Sequence, residues 1–465
     1  MTLARQLPAY TWDRIAPLRE KAGLHPDGPV DLSMGTPVDP VPGLIRDALA
    51  AASNAPGYPA TWGTPQLRSA AAGWLARAHG VPVSPDDVLP VVGTKEFIAW
   101  LPVMLGLGPG DVVLQPELAY PTYDIGARLA GASVLASDSL LGAGPARVRL
   151  VWVNSPSNPT GRVLPAEHLR KVVAWARERG AVVASDECYI SLGWDASPVS
   201  VLHPSVCGGS HDGVLAVHSL SKRSNLAGYR AGFVTGDPAL VADLLAIRKQ
   251  AGMIMPGPVQ AAMAAALCDD VHAAEQAGRY AARRSVLREA FEEAGWAIEH
   301  SEAGLYLWVT HPAHDCWSAA ELLAAEGGIL VAPGELYGAA GTRHVRVALT
   351  ATDERVAAAA VRLRELGSAS RHESRGLAGN GLCTCARAAK FDRCSAGALP
   401  KQSTRLPFLA AVRAARPATV LVHVRPCRPT RRPNAVRSVL AMRLVPAARS
   451  ATCLSRGGRP RPGWT

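Results

Sequence analysis

No uninterrupted apolar run in the 465 residues reaches the ~18 that a membrane-spanning helix needs, so no such span is expected. The opening stretch MTLARQLPAYTWDRIAPLREK has neither the apolar segment nor the small-residue cleavage site of a secretory signal, and a cytoplasmic location is expected. There is no internal repeat, no collagen-like period and no heptad pattern. The four cysteines of residues 1–367 (Cys188, Cys207, Cys268 and Cys316) have no metal-ligand spacing and form no short secreted framework, which fits a reducing compartment and no metal site. Acidic residues nearly vanish in one region. Residues 368–465 hold 17 arginines and two lysines against only Glu373 and Asp392, a net of +17, so residues 1–367 carry −6.

What is present is ordinary globular composition, 48% hydrophobic and 19% charged, enough for one large or two medium domains. The tail from 368 has nine prolines, five cysteines and no sustained helical stripe, and reads as a disordered or aberrant appendage. Its charge could meet a nucleic-acid backbone, but it has no recognisable module and only three aromatics (Phe391, Phe408 and Trp464), so nucleic-acid binding is a distant alternative.

The body alternates strand-like apolar runs with amphipathic stretches, which predicts an α/β fold with a largely parallel sheet. In the stretch 164–185, Pro165 suits a first helical turn, Leu169, Val172, Val173 and Ala176 repeat at helical spacing, Gly180 is a stop, and AVVAS (181–185) is a buried strand. RLVWV (149–153), VLAVH (214–218) and GFVTG (232–236) read the same way. From about residue 271 the texture changes. One helix is expected over 271–295, strands at LYLWV (305–309) and VRVAL (345–349), and a last helix over about 353–366.

Ligands of open α/β sheets bind beyond the carboxyl ends of the strands. VLAVH is followed by Ser219-Leu220-Ser221-Lys222, AVVAS by Asp186-Glu187-Cys188-Tyr189, RLVWV by Asn154 and then Asn158-Pro159-Thr160-Gly161, and LPVV (89–92) by Gly93-Thr94-Lys95. Arg230 stands eight residues after Lys222. These strand ends gather a lysine, a carboxylate, a phenol, an amide and a Gly-Thr helix start. The set suits an aromatic phosphorylated aldehyde. A lysine amine condenses with the aldehyde, a carboxylate keeps a pyridine nitrogen protonated, and helix amides with hydroxyls and an arginine hold a phosphate.

The motifs SLSKRSNLAGYRAG, NSPSNPTG, SDECY, PELAYPTY and HVRVALT resemble those of the fold-type I aminotransferases that use pyridoxal 5′-phosphate. DLSMGTPVDPVP, APGYPATWGTPQLR and HSLSKRSNLAGYRAG are similar to one branch, the actinobacterial-type succinyldiaminopimelate aminotransferases. The resemblance implies a mostly parallel, seven-stranded-type central sheet with a smaller α+β domain. The boundaries expected are 1–40 and 271–367 for the small domain, 41–270 for the cofactor domain, and 368–465 for the tail.

It also implies roles. Lys222 bonds the cofactor and shuttles the proton, and Asp186 partners the ring nitrogen. Asn158 and Tyr189 meet the 3′-oxygen, and Tyr120 stacks on the ring. Ser219, Ser221, Arg230 and the backbone at Gly93, Thr94 and Lys95 hold the phosphate. Tyr58 reaches the phosphate of a neighbouring subunit in a homodimer, and Arg346, with the Gly35 backbone and Asn158, takes the substrate carboxylate. Arg343 is the nearby competitor of Arg346. Cys188 reads as a small core residue, Glu187 receives no role, and Lys95 and Arg223 are positional candidates for a distal carboxylate. The implied reaction is transamination of N-succinyl-L,L-2,6-diaminopimelate with 2-oxoglutarate. An aminotransferase or C–S lyase acting on another amino acid is the alternative.

Overall fold

The computed structural model describes residues 3–5 and 7–379; residues 380–465, most of the basic tail, lie outside the described residues. Thirteen strands occur among them: β1 (Val30–Asp31), β2 (Val88–Val92), β3 (Val112–Gln115), β4 (Ser133–Ala136), β5 (Val148–Asn154), β6 (Val182–Asp186) and β7 (Val214–Ser219). They continue with β8 (Ala231–Gly236), β9 (Ala297–Glu299), β10 (Tyr306–Thr310), β11 (Ile329–Leu330), β12 (Ala332–Pro333) and β13 (His344–Ala348). Seven form one sheet in the order β2-β8-β7-β6-β5-β3-β4. Only β8 runs antiparallel to its neighbours; the other six strands of this sheet are parallel to one another.

The apolar runs of these strands follow from burial on both faces. Along β5, Leu150 and Trp152 pack with Phe97, Tyr123 and Leu244 on one side, while Val151 and Val153 pack with Leu169, Val173 and Leu202 on the other. The helix expected after Pro165 spans Ala166–Glu178, with Pro165 at its N-cap rather than inside its first turn. Gly180 takes φ 63°, the left-handed region where glycine has no Cβ penalty, and turns the chain into β6. Pro102, one turn from the end of the helix Thr94–Met104, precedes its stop at Leu105.

A second, antiparallel sheet has the order β12-β13-β10-β9. Its core joins Ile15, Leu18 and Leu32 from the N-terminal segment to Phe291, Trp308, Leu323 and Leu363. The parallel pairing of β1 with β11 ties the same segment to this region. The helix expected over 271–295 spans Val271–Glu293. The last helix does not stop near 366 but runs Asp353–Gly379. Gly367 is pressed against Ala294, so a change of composition after it is not a change of conformation.

The carboxyl ends of β5, β6 and β7 lie side by side. Asn154 is in register with Asp186, and Asp186 with Val217, two residues before Ser219. The β2 end meets them across β8, so the four strand ends singled out in the sequence share one edge.

Candidate active site

A cavity of about 260 Å³ opens at that edge. It is lined by Gly35, Thr94, Lys95, Tyr120, Asn158, Asp186, Tyr189, Ser219, Ser221, Lys222, Arg230 and Arg346. Gly93 abuts it. A Cβ built there would lie 2.1 Å from Arg230 Nη2, and Gly93 has φ 76°, so glycine is what lets the Arg230 guanidinium lie against the start of the helix Thr94–Met104. Tyr58 is not in this cavity and is fully exposed. Another cavity, of about 240 Å³ beside Gln115 and His168, is lined by no lysine and by none of the residues assigned a site role from the sequence.

The Lys222 ammonium donates to the Gly35 carbonyl. Burial, with help from the Arg346 and Arg230 charges and against Cys188, pushes the Lys222 pKa down to about 8, so a nucleophilic free amine is accessible near neutral pH. Asp186 is buried. Its Oδ2 accepts the Tyr123 hydroxyl at 2.9 Å and its Oδ1 the Cys188 amide at 3.3 Å. Burial raises the Asp186 pKa, while bonds from Cys188 and Tyr123 pull it back.

Arg346 is 2% exposed, and no acid pairs with it among the described residues. Its guanidinium donates to Asn158 Oδ1 at 2.8 Å and to the Ser33 carbonyl, and sits 3.9, 4.9 and 5.4 Å from the rings of Tyr306, Tyr337 and Trp12. A buried cation held only by π faces and neutral acceptors is a site prepared for an anion. The Tyr189 and Tyr306 hydroxyls are 3.0 Å apart. On the opposite wall, the first amides of the helix Thr94–Met104 have no intrahelical acceptor, Ser219 Oγ accepts the Ser221 amide at 3.1 Å, and Arg230 donates to the Ala227 carbonyl.

Two expectations change, those for Cys188 and Arg223, while Glu187 and Arg343 stay out of the site as expected. Cys188 is not simply core; it lines the cavity beside Asp186 and Tyr189. Arg223 turns away to the Ala266 carbonyl and Asp270, so it cannot serve a substrate here. Glu187 is buried behind the site, accepting the Val201 amide, with His218 Nε2 3.7 Å away. Arg343 is exposed and bonds the His311 and Pro312 carbonyls, leaving the cavity to Arg346. Sequence reasoning missed Tyr10, Trp12, Met34, Thr36 and Tyr306. Tyr306 opens a strand whose alternation puts every second side chain on one face, a signal of period but not of direction. The N-terminal residues precede any periodic element and gave none.

Glu187 supplies a pH test. Burial raises its pKa to about 7, while His218 is held down to about 3 by burial and His79, so both are neutral at pH 5. A raised carboxyl pKa means stability present below the ordinary value and lost as pH rises through 7. Glu187→Gln should therefore raise the melting temperature relative to the parent more at pH 8 than at pH 5, read by thermal unfolding at the two pH values.

Six parallel strands and one reversed strand, with a recessed lysine, a buried aspartate and an anion cradle at their shared edge, make up the frame of a fold-type I enzyme working with pyridoxal 5′-phosphate. The chain belongs to the class I and II aminotransferases, whose family model matches residues 28–363. It is 62% identical over 359 residues to the 4-dedimethylamino-4-oxo-anhydrotetracycline transaminase OxyQ of Streptomyces rimosus, covering 77% of this chain and 99% of OxyQ. It is also 62% identical over 362 residues to the probable aminotransferase Rv1178 of Mycobacterium tuberculosis, covering 78% of this chain and 86% of that protein. A solved structure of a probable N-succinyldiaminopimelate aminotransferase from Thermus thermophilus superposes with a TM-score of 0.69 at 28% identity, covering 77% of this chain and all of the other. The family depends on pyridoxal 5′-phosphate, and the donor set fits that group. The site offers an amine poised near neutrality, a buried carboxylate for a ring nitrogen, and a glycine-made recess beside Arg230 for a phosphate. No helix among the described residues is long and apolar enough to cross a membrane.

Proposed function

We propose that the protein is a homodimeric aminotransferase whose donor is N-succinyl-L,L-2,6-diaminopimelate and whose acceptor is 2-oxoglutarate, in lysine and diaminopimelate biosynthesis. The observation that carries this reading is that two of the cavity's four cations, Arg346 and Lys95, stand apart from the Lys222 amine and the Arg230 phosphate cradle, and no acid pairs with either among the described residues. Arg346 lies among its aromatic rings, and the Lys95 ammonium has the Tyr10 ring centroid 5.5 Å away. Both substrates bring a carboxylate beside the reacting carbon and another at a distance. Arg346 takes the first as a planar fork, and Lys95 meets the second as a point charge.

When bound, pyridoxal phosphate supplies an aldehyde carbon for exchange with the donor amine and a ring that takes up the electron pair of the broken Cα–H bond. The protein does the rest. Lys222 Nζ takes the proton from the substrate α-carbon and delivers one to the cofactor C4′. Asp186 keeps the ring nitrogen protonated. Tyr189 and the Asn158 amide donate to the 3′-oxygen; Asn158 Oδ1 is already engaged by Arg346, which leaves its Nδ2 for this. Tyr120 covers the ring. Ser219, Ser221, Arg230 and the amides at Thr94 and Lys95 hold the phosphate, with Gly93 giving them room. The Gly35 backbone meets the substrate carboxylate, and Tyr58 of the partner subunit reaches the phosphate. In this reading residues 41–270 form the cofactor domain, and 1–40 with 271–367 form the smaller one.

A second reading keeps the chemistry and changes the substrate to another amino acid or ketone. It is favoured by the identity with OxyQ, which is named for an oxo-anhydrotetracycline. The two separate on one titration. Adding N-succinyl-L,L-2,6-diaminopimelate to the cofactor-loaded protein should abolish the visible cofactor band, and 2-oxoglutarate should restore it. Lys95→Met should raise KM for both acids by about tenfold or more, the strength of a hydrogen bond to a charge. A band indifferent to this donor but abolished by another amine would transfer the proposal to the second reading.

A further inference from the structure

We propose that Tyr123 is a positioning residue for Asp186, fixing one carboxylate oxygen so that the other stays ionised and turned to the cofactor's ring nitrogen; this rests on the aminotransferase reading above. Tyr123 lies behind the cavity in the helix Thr122–Ala130 and is not among the residues that line it.

The geometry is specific. Tyr123 is fully buried, and its hydroxyl donates to Asp186 Oδ2 at 2.9 Å. The ring cannot swing. It stacks on Trp152 at 4.7 Å with 13° between planes, and meets Tyr120 edge-on at 5.9 Å. Tyr120 itself lines the cavity, so one clamp orders both the residue over the cofactor ring and the residue behind its carboxylate.

The electrostatics say why the clamp matters. No cationic side chain pairs with Asp186 among the described residues, so neutral donors alone hold its charge. Three neutral donors hold it: the Cys188 thiol, a weak donor, the Cys188 amide at a long 3.3 Å, and the Tyr123 hydroxyl at 2.9 Å, which is the strong donor with the short bond. Burial and the Asp186 charge push the Tyr123 phenol well above its ordinary pKa, so it stays a donor at every working pH. Without it, a desolvated carboxylate takes a proton more readily. A carboxylic acid no longer favours a protonated ring nitrogen, and the ring becomes a poorer acceptor of the electron pair.

Tyr123→Phe removes only the hydroxyl and keeps the stack on Trp152. The measurement is the ¹⁵N chemical shift of the ring nitrogen in labelled pyridoxal phosphate bound to the protein, followed from pH 6 to 9, together with the pH profile of kcat. In the parent the ring nitrogen should stay in the protonated range throughout. In Tyr123→Phe it should move toward the unprotonated value, kcat should fall by about tenfold to a hundredfold with KM little changed, and the acid limb of the profile should shift to higher pH. Trp152→Phe, which loosens the clamp but keeps the hydroxyl, should give a smaller change of the same sign. A protonated nitrogen in the parent with an unchanged shift and profile in Tyr123→Phe overturns this proposal and leaves the functional reading intact. A parent that binds no cofactor, or binds it with an unprotonated nitrogen, overturns both.

Discussion

Lys222→Ala should lose transamination by at least about 10³-fold, because the proton at the substrate α-carbon then has no positioned acceptor. The loss should appear in kcat. The fold should not suffer, since the side chain makes one hydrogen bond, to the Gly35 carbonyl, and that carbonyl faces the cavity. Burial of the amine also predicts the pH response of the parent. With its pKa near 8, capture of pyridoxal phosphate by cofactor-free protein should quicken from pH 7 to 9 as the neutral amine accumulates. Circular dichroism and melting close to the parent, with stopped-flow capture and turnover both collapsed, is the expected pattern. Near-parental turnover would remove Lys222 from the reaction.

Arg346→Lys is the second large effect. The ammonium keeps the charge but has no planar fork for a carboxylate and stacks less well among Tyr306, Tyr337 and Trp12. In the proposed function the α-carboxylate of every donor and acceptor meets this group, so KM should rise about a hundredfold for both half-reactions. The cofactor's visible band should persist, because on this reading Arg346 meets substrate directly and the cofactor only through Asn158. Substrate titrations of that band measure the first expectation, and the spectrum without substrate measures the second. A variant that loses the cofactor band would relocate Arg346 to the cofactor's own support.

Much of this site was legible because its chemistry hangs on strand ends. Asp186, Ser219 and Asn154 sit where apolar runs stop, and a parallel sheet brings such stops to one edge whatever the helices between them do. Gly93 was legible for a similar reason, as the Gly-Thr helix start that follows the apolar run LPVV; the structure adds that a side chain there would collide with Arg230. Arg346 was separable from Arg343 only through the resemblance of HVRVALT to the family motif; the structure then pairs Arg346 with Trp308 inside β10–β13 and leaves Arg343 before the strand.

What escaped was long-range. Tyr123 and Asp186 are 63 residues apart, and nothing local says that a phenol in a helix will meet a carboxylate at a strand end. Trp12 reaches Arg346 from a segment with no periodicity at all. Arg223 was misjudged because the short helix Leu220–Arg223 turns successive side chains about 100° apart, sending Lys222 into the cavity and Arg223 to the Ala266 carbonyl. The last helix overran its expected end because it passes straight through Gly367, whose cost inside a helix is only about 1 kcal/mol relative to alanine.

The most direct test of the account fixes the cofactor to the protein. Borohydride reduction of the pyridoxal-phosphate-loaded protein, followed by proteolysis and mass spectrometry, should find the pyridoxyl group on Lys222, with none on Lys95 although both amines line the same cavity. Modification at Lys95, or none on either lysine, would contradict the assignment on which the rest of the site depends.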